Sequence, residues 1–122
     1  MSTIVNILVA LVAALHVYFL ILEMFLWTRP LGLKIFRQTA EKAADSAVLA
    51  ANQGLYNGFL AAGLVWGLLQ SNAGFASQIK VFFLLCVIVA GIYGAITVSY
   101  RILLVQAAPA ALALVLLWLA VG

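Results

Sequence analysis

The sequence predicts an all-α integral membrane protein: four transmembrane helices in one bundle, with a short interfacial helix between the first and the second. Three observations carry this. Apolar runs at residues 4–27, 48–69, 81–98 and 109–121 fill most of the 122-residue chain. The composition is 68% hydrophobic and 7% charged, with a mean hydropathy of +1.26, where a soluble domain has about a quarter of its residues charged. Four of the six basic residues, Arg29, Lys34, Arg37 and Lys42, crowd into the single segment between the first two runs. Runs of this length can cross the hydrocarbon core, and only helices or closed barrels satisfy their backbone there. A barrel needs alternating polarity, and residues 7–14 and 81–90 are apolar all round, so helices are expected.

The whole of residues 1–122 reads as one four-helix domain, with helices at about 3–27, 40–70, 77–104 and 109–121. The first run has no Lys or Arg before it, is too long for a signal h-region and closes on no small-x-small site, so it reads as a retained span. Trp27 suits the interface, and Pro30 ends the helix by disfavouring helical geometry at Arg29. Leu31, Leu33, Ile35 and Phe36 interleave with Lys34 and Arg37, the pattern of a short helix lying in the interface. Thr39 is the expected N-cap of the second span, with Glu41 in its first turn favouring the positive helix end. The stretch Ser71-Asn72-Ala73-Gly74 reads as a turn. The next turn is expected at Gln106-Ala107-Ala108, with Pro109 opening a fourth helix of about 20 Å at 1.5 Å per residue. A turn near Tyr100-Arg101 with a Pro-kinked fourth helix is the alternative.

Lys and Arg counts orient the chain. The first loop holds most of the basic residues, Arg101 lies at the same membrane face, and the opposite face has only Lys80. The first loop is therefore expected in the cytoplasm and both termini outside, with a bacterial inner membrane as the setting. The net charge of +3 follows from that loop and marks no nucleic-acid footprint. Cys86 is the single cysteine and lies mid-span, where it reads as a small packing residue.

The polar residues inside the apolar runs carry the functional information. His16 and Glu23 are two helical turns apart on one stripe of the first helix. An intramembrane carboxylate normally faces protein or water and has a partner, which makes Glu23 the leading candidate. His16 and Glu23 are also the groups suited to handling a proton, although a neutral His16 bonded to a neighbouring helix is the plainer reading. The second helix carries Asn52, Gln53, Tyr56 and Asn57 within about a 140° arc, beside the small-xxx-small pairs Gly54/Gly58 and Gly63/Gly67. The third adds Tyr93, Thr97, Tyr100 and Arg101, with Gly91 and Ala95 as another small pair. Given the orientation, Glu23, Asn52, Gln53, Tyr56, Asn57, Tyr93 and Arg101 fall at one depth, in the cytoplasmic half. They are expected to line one polar cavity for a small-molecule ligand. The plainer reading, in which amides glue helices and Arg101 snorkels to phosphate, competes with it.

Residues Glu23-Met24-Phe25-Leu26-Trp27, the long motif 49–64 around Asn52-Gln53-Gly54, Gly91-Ile92-Tyr93-Gly94 and the turn of Val105-Gln106 before Pro109 resemble a family of small four-span bacterial membrane proteins, the domain of unknown function 1304. The resemblance covers essentially the whole chain. It implies the four-span fold and brings no activity, substrate or catalytic residues. The family's usual Pro after the N-cap Thr is Ala40 here, and its turn Gly is Ala107 or Ala108.

No zincin, nucleophile-elbow or phosphate-loop motif is present, and one His with one carboxylate falls short of a typical three- or four-ligand metal set. No catalytic residue, metal or cofactor is therefore expected. Three roles remain. The chain binds or transports a small polar or amphipathic molecule; or it is a structural or accessory subunit; or it is a membrane enzyme using Glu23 or His16 as acid and base. The bilayer is its first partner, and its glycine-rich helix faces predict self-association.

Overall fold

The computed structural model describes residues 2–121, and every regular element in them is helical. In order these are α1 (Ser2–Met24), α2 (Pro30–Phe36), α3 (Ala40–Leu69), α4 (Ala73–Thr97), α5 (Tyr100–Ile102), a π-helical turn (Leu103–Ala107) and α6 (Ala108–Val121). Two of these helices are long and apolar enough to cross a membrane, over Thr3–Met24 and Ala73–Thr97. At 30 residues α3 is longer than either, but Asn52, Gln53 and Asn57 dilute its apolar character. The terminal residues Met1 and Gly122, on which the orientation of the chain ends also bears, lie outside the described residues.

Several helix ends differ from the sequence expectation, each for a local reason. The first helix stops at Met24 rather than at Trp27. Phe25 and Leu26 both donate to the Ile21 carbonyl, at 3.0 and 3.2 Å, and Arg29 N–H closes a tight turn on Leu26 O at 3.1 Å. This brings α2 back against the turn at Gly32, where a Cβ would stand 1.9 Å from the Leu26 carbonyl oxygen. Only a residue without a side chain fits there.

Pro30 sits at the start of α2, where its missing N–H costs nothing. The helix ends with Arg37 in the left-handed region (φ 53°), Gln38 N–H bonding Leu33 O at 3.0 Å and Arg37 N–H bonding Lys34 O at 3.4 Å. That is the Schellman arrangement, with arginine in the place glycine usually takes. Thr39 caps α3 as expected, its hydroxyl accepting from Lys42 N–H at 3.2 Å.

The third long helix begins at Ala73, not near Ser77, because Asn72 is itself the N-cap: its Oδ1 accepts from Phe75 N–H at 2.9 Å. It ends at Thr97, not near residue 104. Val98 and Ser99 N–H both turn back to Gly94 O, and the Ser99 hydroxyl accepts from Arg101 N–H, opening the next helix. The expected break at Gln106-Ala107-Ala108 is instead a π-turn that runs on into α6. Pro109 explains it: its ring would collide with the carbonyl four residues back, Val105, and the wider π-turn holds Val105. The alternative reading, a turn near Tyr100 and a Pro-perturbed last helix, is the one the structure matches.

The chain forms two compact units, Met1–Leu15 with Leu60–Gly122, and His16–Phe59. The first has a core of Val5, Val9, Val12 and Ala13 from α1, Leu64 from α3, Leu84 and Val87 from α4, and Ala110, Ala113 and Leu117 from α6. Gly91 of α4 lies against Ala107, its would-be Cβ 2.7 Å from that residue's Cβ. The second unit holds the end of α1, the connecting turn, α2 and the first two-thirds of α3.

Candidate functional site

Within the unit His16–Phe59, the last turns of α1 meet the middle of α3 at very short range. Cβ atoms placed on Gly54 and Gly58 would fall 2.7 Å from Met24 Cγ and 2.8 Å from Leu20 Cδ1, and the Gly54 position lies 3.2 Å from the Leu20 carbonyl oxygen. The small-xxx-small spacing does here what it does between membrane helices generally: it lets two backbones close up. One turn along α3 from Gly54, Asn57 is buried, and its Nδ2 donates to Glu23 Oε1. Glu23 stays partly exposed. An amide suits this carboxyl group because an N–H donor can bond a carboxylate oxygen or the carbonyl oxygen of the neutral acid.

The other residues expected at the site are placed differently. Asn52, Gln53 and Tyr56 are exposed on α3, Tyr56 with its ring edge-on to Phe59 at 5.8 Å. Tyr93 and Arg101 belong to the other unit and are exposed there. His16 is fully buried and packs edge-to-face on Phe19 at 5.4 Å. The structure therefore joins Glu23 to Asn57 and leaves Asn52, Gln53 and Tyr56 on open surface.

Two polar contacts were not foreseen. At the foot of the Glu23 pair, Trp27 Nε1 donates to Ser46 Oγ at 3.0 Å, Ser46 passes its own hydrogen to Lys42 O at 2.8 Å, and the indole packs on Phe36 at 4.6 Å. This ties the turn, α2 and the start of α3 together. In the other unit, Lys80 is buried in α4, and its Nζ donates to Asn6 Oδ1 of α1 at 2.8 Å. Asn6 interrupts the first apolar run and Lys80 stands just before the third, and these positions are the available signal. In the Lys and Arg pattern Lys80 serves only as a marker of membrane side. Among the described residues no cluster of three or more potential metal ligands occurs.

The comparisons bear on the same region. The family profile described as "Protein of unknown function (DUF1304)" matches residues 10–118. The chain belongs to this family. Glu23 and Asn57 both lie inside the matched range. A relative from Lactococcus lactis subsp. lactis (strain IL1403), named "Uncharacterized protein YpaA", is 32% identical over 116 residues, covering 93% of this chain and 96% of its own. No solved structure matches the chain.

Proposed function

We infer that this DUF1304 protein crosses a bacterial inner membrane four times, as a single bundle with its first loop in the cytoplasm and both termini outside. In its cytoplasmic half it binds or transports a small polar or amphipathic molecule at Glu23. Large apolar side chains stand exposed on every long helix, among them Ile7 and Leu11 on α1, Phe59 and Leu69 on α3, Phe82 and Val89 on α4, and Val115 and Leu119 on α6. Water would not tolerate so much apolar surface on a lone chain, whereas lipid tails cover it at no cost. The helical stretch from Tyr100 to Val121 reaches about 30 Å at 1.5 Å per residue, enough for a fourth crossing. Leu31 and Ile35 of α2 are exposed beside Lys34, the arrangement of a helix lying in the headgroup layer.

The observation that carries the site is the Glu23–Asn57 pair. A carboxyl group at membrane depth has a neutral partner on one oxygen and remains partly open. A cation is the charge complement of such a group. Tyr56 and Phe59 nearby on the same helix add aromatic faces that attract an organic cation. The competing reading is a structural subunit, favoured by the same bond, since an amide–carboxyl bond between close helices is also glue. Glu23→Gln separates the two. The purified protein in detergent is dialysed against tetraphenylphosphonium as an amphipathic cation. Saturable binding lost in Glu23→Gln, with unfolding temperature unchanged, supports the site. Binding absent in the wild type, with a lowered unfolding temperature in Glu23→Gln, leaves the structural reading. Orientation is tested by cysteine labelling in a Cys86→Ser background: Asn72→Cys should react from outside intact cells and Glu41→Cys should not.

A further inference from the structure

Over residues 52–58 the α1–α3 contact covers one face of α3 and leaves another exposed, although the same exposed stripe is covered by α4 further on, at Gly63 and Gly67. The face covered by α1 is that of Gly54, Gly58 and Asn57. At 100° per residue, Gln53 lies about 40° round the helix from Asn57, Tyr56 about 100° and Asn52 about 140°, all in the same direction. These three are exposed, and among the described residues neither Asn52 nor Gln53 makes a side-chain hydrogen bond. A polar strip thus runs without interruption from the Glu23–Asn57 pair onto bare helix surface.

Its depth follows from the Trp27–Ser46 bond, which places Ser46 at the level of the interfacial indole. Asn52 is then about 9 Å deeper along α3 and Tyr56 about 15 Å deeper, at 1.5 Å per residue. Acyl chains offer neither donors nor acceptors, so amides left facing them go unsatisfied. The occupant must supply hydrogen bonds. The face has no charged residue between Ser46 and Phe59, which removes the basis for a charged partner. It does carry amides, each both donor and acceptor, and a phenol that is both as well. Such a set pairs with itself across a two-fold axis, where each residue meets its own equivalent or its neighbour. The exposed Val48, Leu55 and Phe59 alongside supply apolar surface for the same contact.

We propose that this face of α3 is covered by the same face of a second copy of the chain, so that the copy forms the missing wall of the Glu23–Asn57 site. The proposal rests on the membrane-spanning reading above. It is tested on the full chain in native membranes, in a Cys86→Ser background, with single cysteines at Asn52 or Tyr56 and, for comparison, at Phe82 on the exposed surface of α4. Copper-phenanthroline oxidation should convert most of the Asn52→Cys and Tyr56→Cys proteins to covalent dimer and leave Phe82→Cys monomeric. The unsubstituted chain should have the mass of a dimer in mild detergent, and the double variant Asn52→Leu/Gln53→Leu that of a monomer with its helical circular dichroism intact.

Absence of crosslinking at both α3 positions, preferential crosslinking at Phe82, or a monomer over a hundredfold concentration range overturns the interface. Tetraphenylphosphonium binding distinguishes the two proposals. A crosslinked dimer that fails to bind it keeps the interface and removes the ligand-site reading. A monomer that binds it does the opposite. Extraction of the protein from membranes by alkaline carbonate removes both.

Discussion

Replacing Gly32 by alanine tests the geometry that holds the α1–α2 turn together. The new Cβ would lie 1.9 Å from Leu26 O, 2.8 Å from Leu26 C and 3.0 Å from Trp27 O. Carbon and carbonyl oxygen come no closer than about 3.3 Å in ordinary contacts, so the overlap is about 1.4 Å. The obstacle is backbone, so no rotamer change relieves it: α2 has to leave the turn. Overpacking of this kind costs about 1–3 kcal/mol, and an immovable neighbour puts Gly32 near the upper end. Alanine's better helix propensity returns about 1 kcal/mol, for a net loss of about 2 kcal/mol.

For a chain of this size that is a fall of roughly 6–12 °C in unfolding temperature, read by circular dichroism in detergent. Because the Trp27 indole packs on Phe36 of α2, its emission should shift as well, measured with Trp66 and Trp118 replaced by phenylalanine. Gly74→Ala is the control. Gly74 is an exposed position in the first turn of α4, its nearest neighbour atom is Asn72 Oδ1 at 3.5 Å, and alanine there should stabilise by about 0.5–1 kcal/mol. A Gly32→Ala protein that unfolds at the wild-type temperature with unchanged Trp27 emission would refute the close approach of α2 to the turn.

Three further perturbations follow from the polar contacts. In a double-mutant cycle, Glu23→Leu and Asn57→Leu should show a coupling of about 1 kcal/mol, the scale of interhelical hydrogen bonds in membranes; strict additivity of the two unfolding shifts would deny the bond. Asn6→Leu strands a buried ammonium and should cost about 1–3 kcal/mol, more than Lys80→Met, which removes the charge itself; the opposite ranking in thermal unfolding would show that Asn6 does not hold Lys80. Trp27→Phe and Ser46→Ala should each cost about 0.5–1.5 kcal/mol and, combined, little more than either alone, since both remove one bond; independent losses would count against it.

The parts of the fold that were readable from sequence are those set by single strong local signals: long apolar runs, the short helix after the first run, and Thr39 capping α3. Two of the misplaced boundaries sit where two local signals compete. Asn72 is a turn former and an N-cap, and its side chain settles on Phe75 N–H. Pro109 can open a helix or perturb one, and here the π-turn absorbs it. At the site, the relative positions of Asn52, Gln53, Tyr56 and Asn57 on the helix were legible, but their absolute direction was not. Gly54 and Gly58, through which α1 packs, lie about 60° and 100° round the helix from Asn57, on the side away from Gln53, Tyr56 and Asn52. Asn57 is therefore covered while Asn52, at the far end of the arc, is not. The Lys80–Asn6 bond went unread because a lysine one or two turns inside a helix is easily assigned to the loop, whereas its long side chain can fold back to an amide on another helix.

The choice of partner at Glu23 bears on function. An opposite charge beside Glu23 would neutralise the carboxylate, at a desolvation cost to both groups. Asn57 supplies directionality without charge. The bond fixes where Oε1 points, and it can persist whether the carboxyl group carries a proton or not, because the amide donates in either case. What it does not do is cancel the charge when one is present. The charge is left for something else to balance, on the side of Glu23 that remains open. With the wall proposed above supplied by a second copy, a neutral, directional partner is the arrangement expected of a group that exchanges its counter-charge. An ion pair buried on all sides would be expected of one that never does.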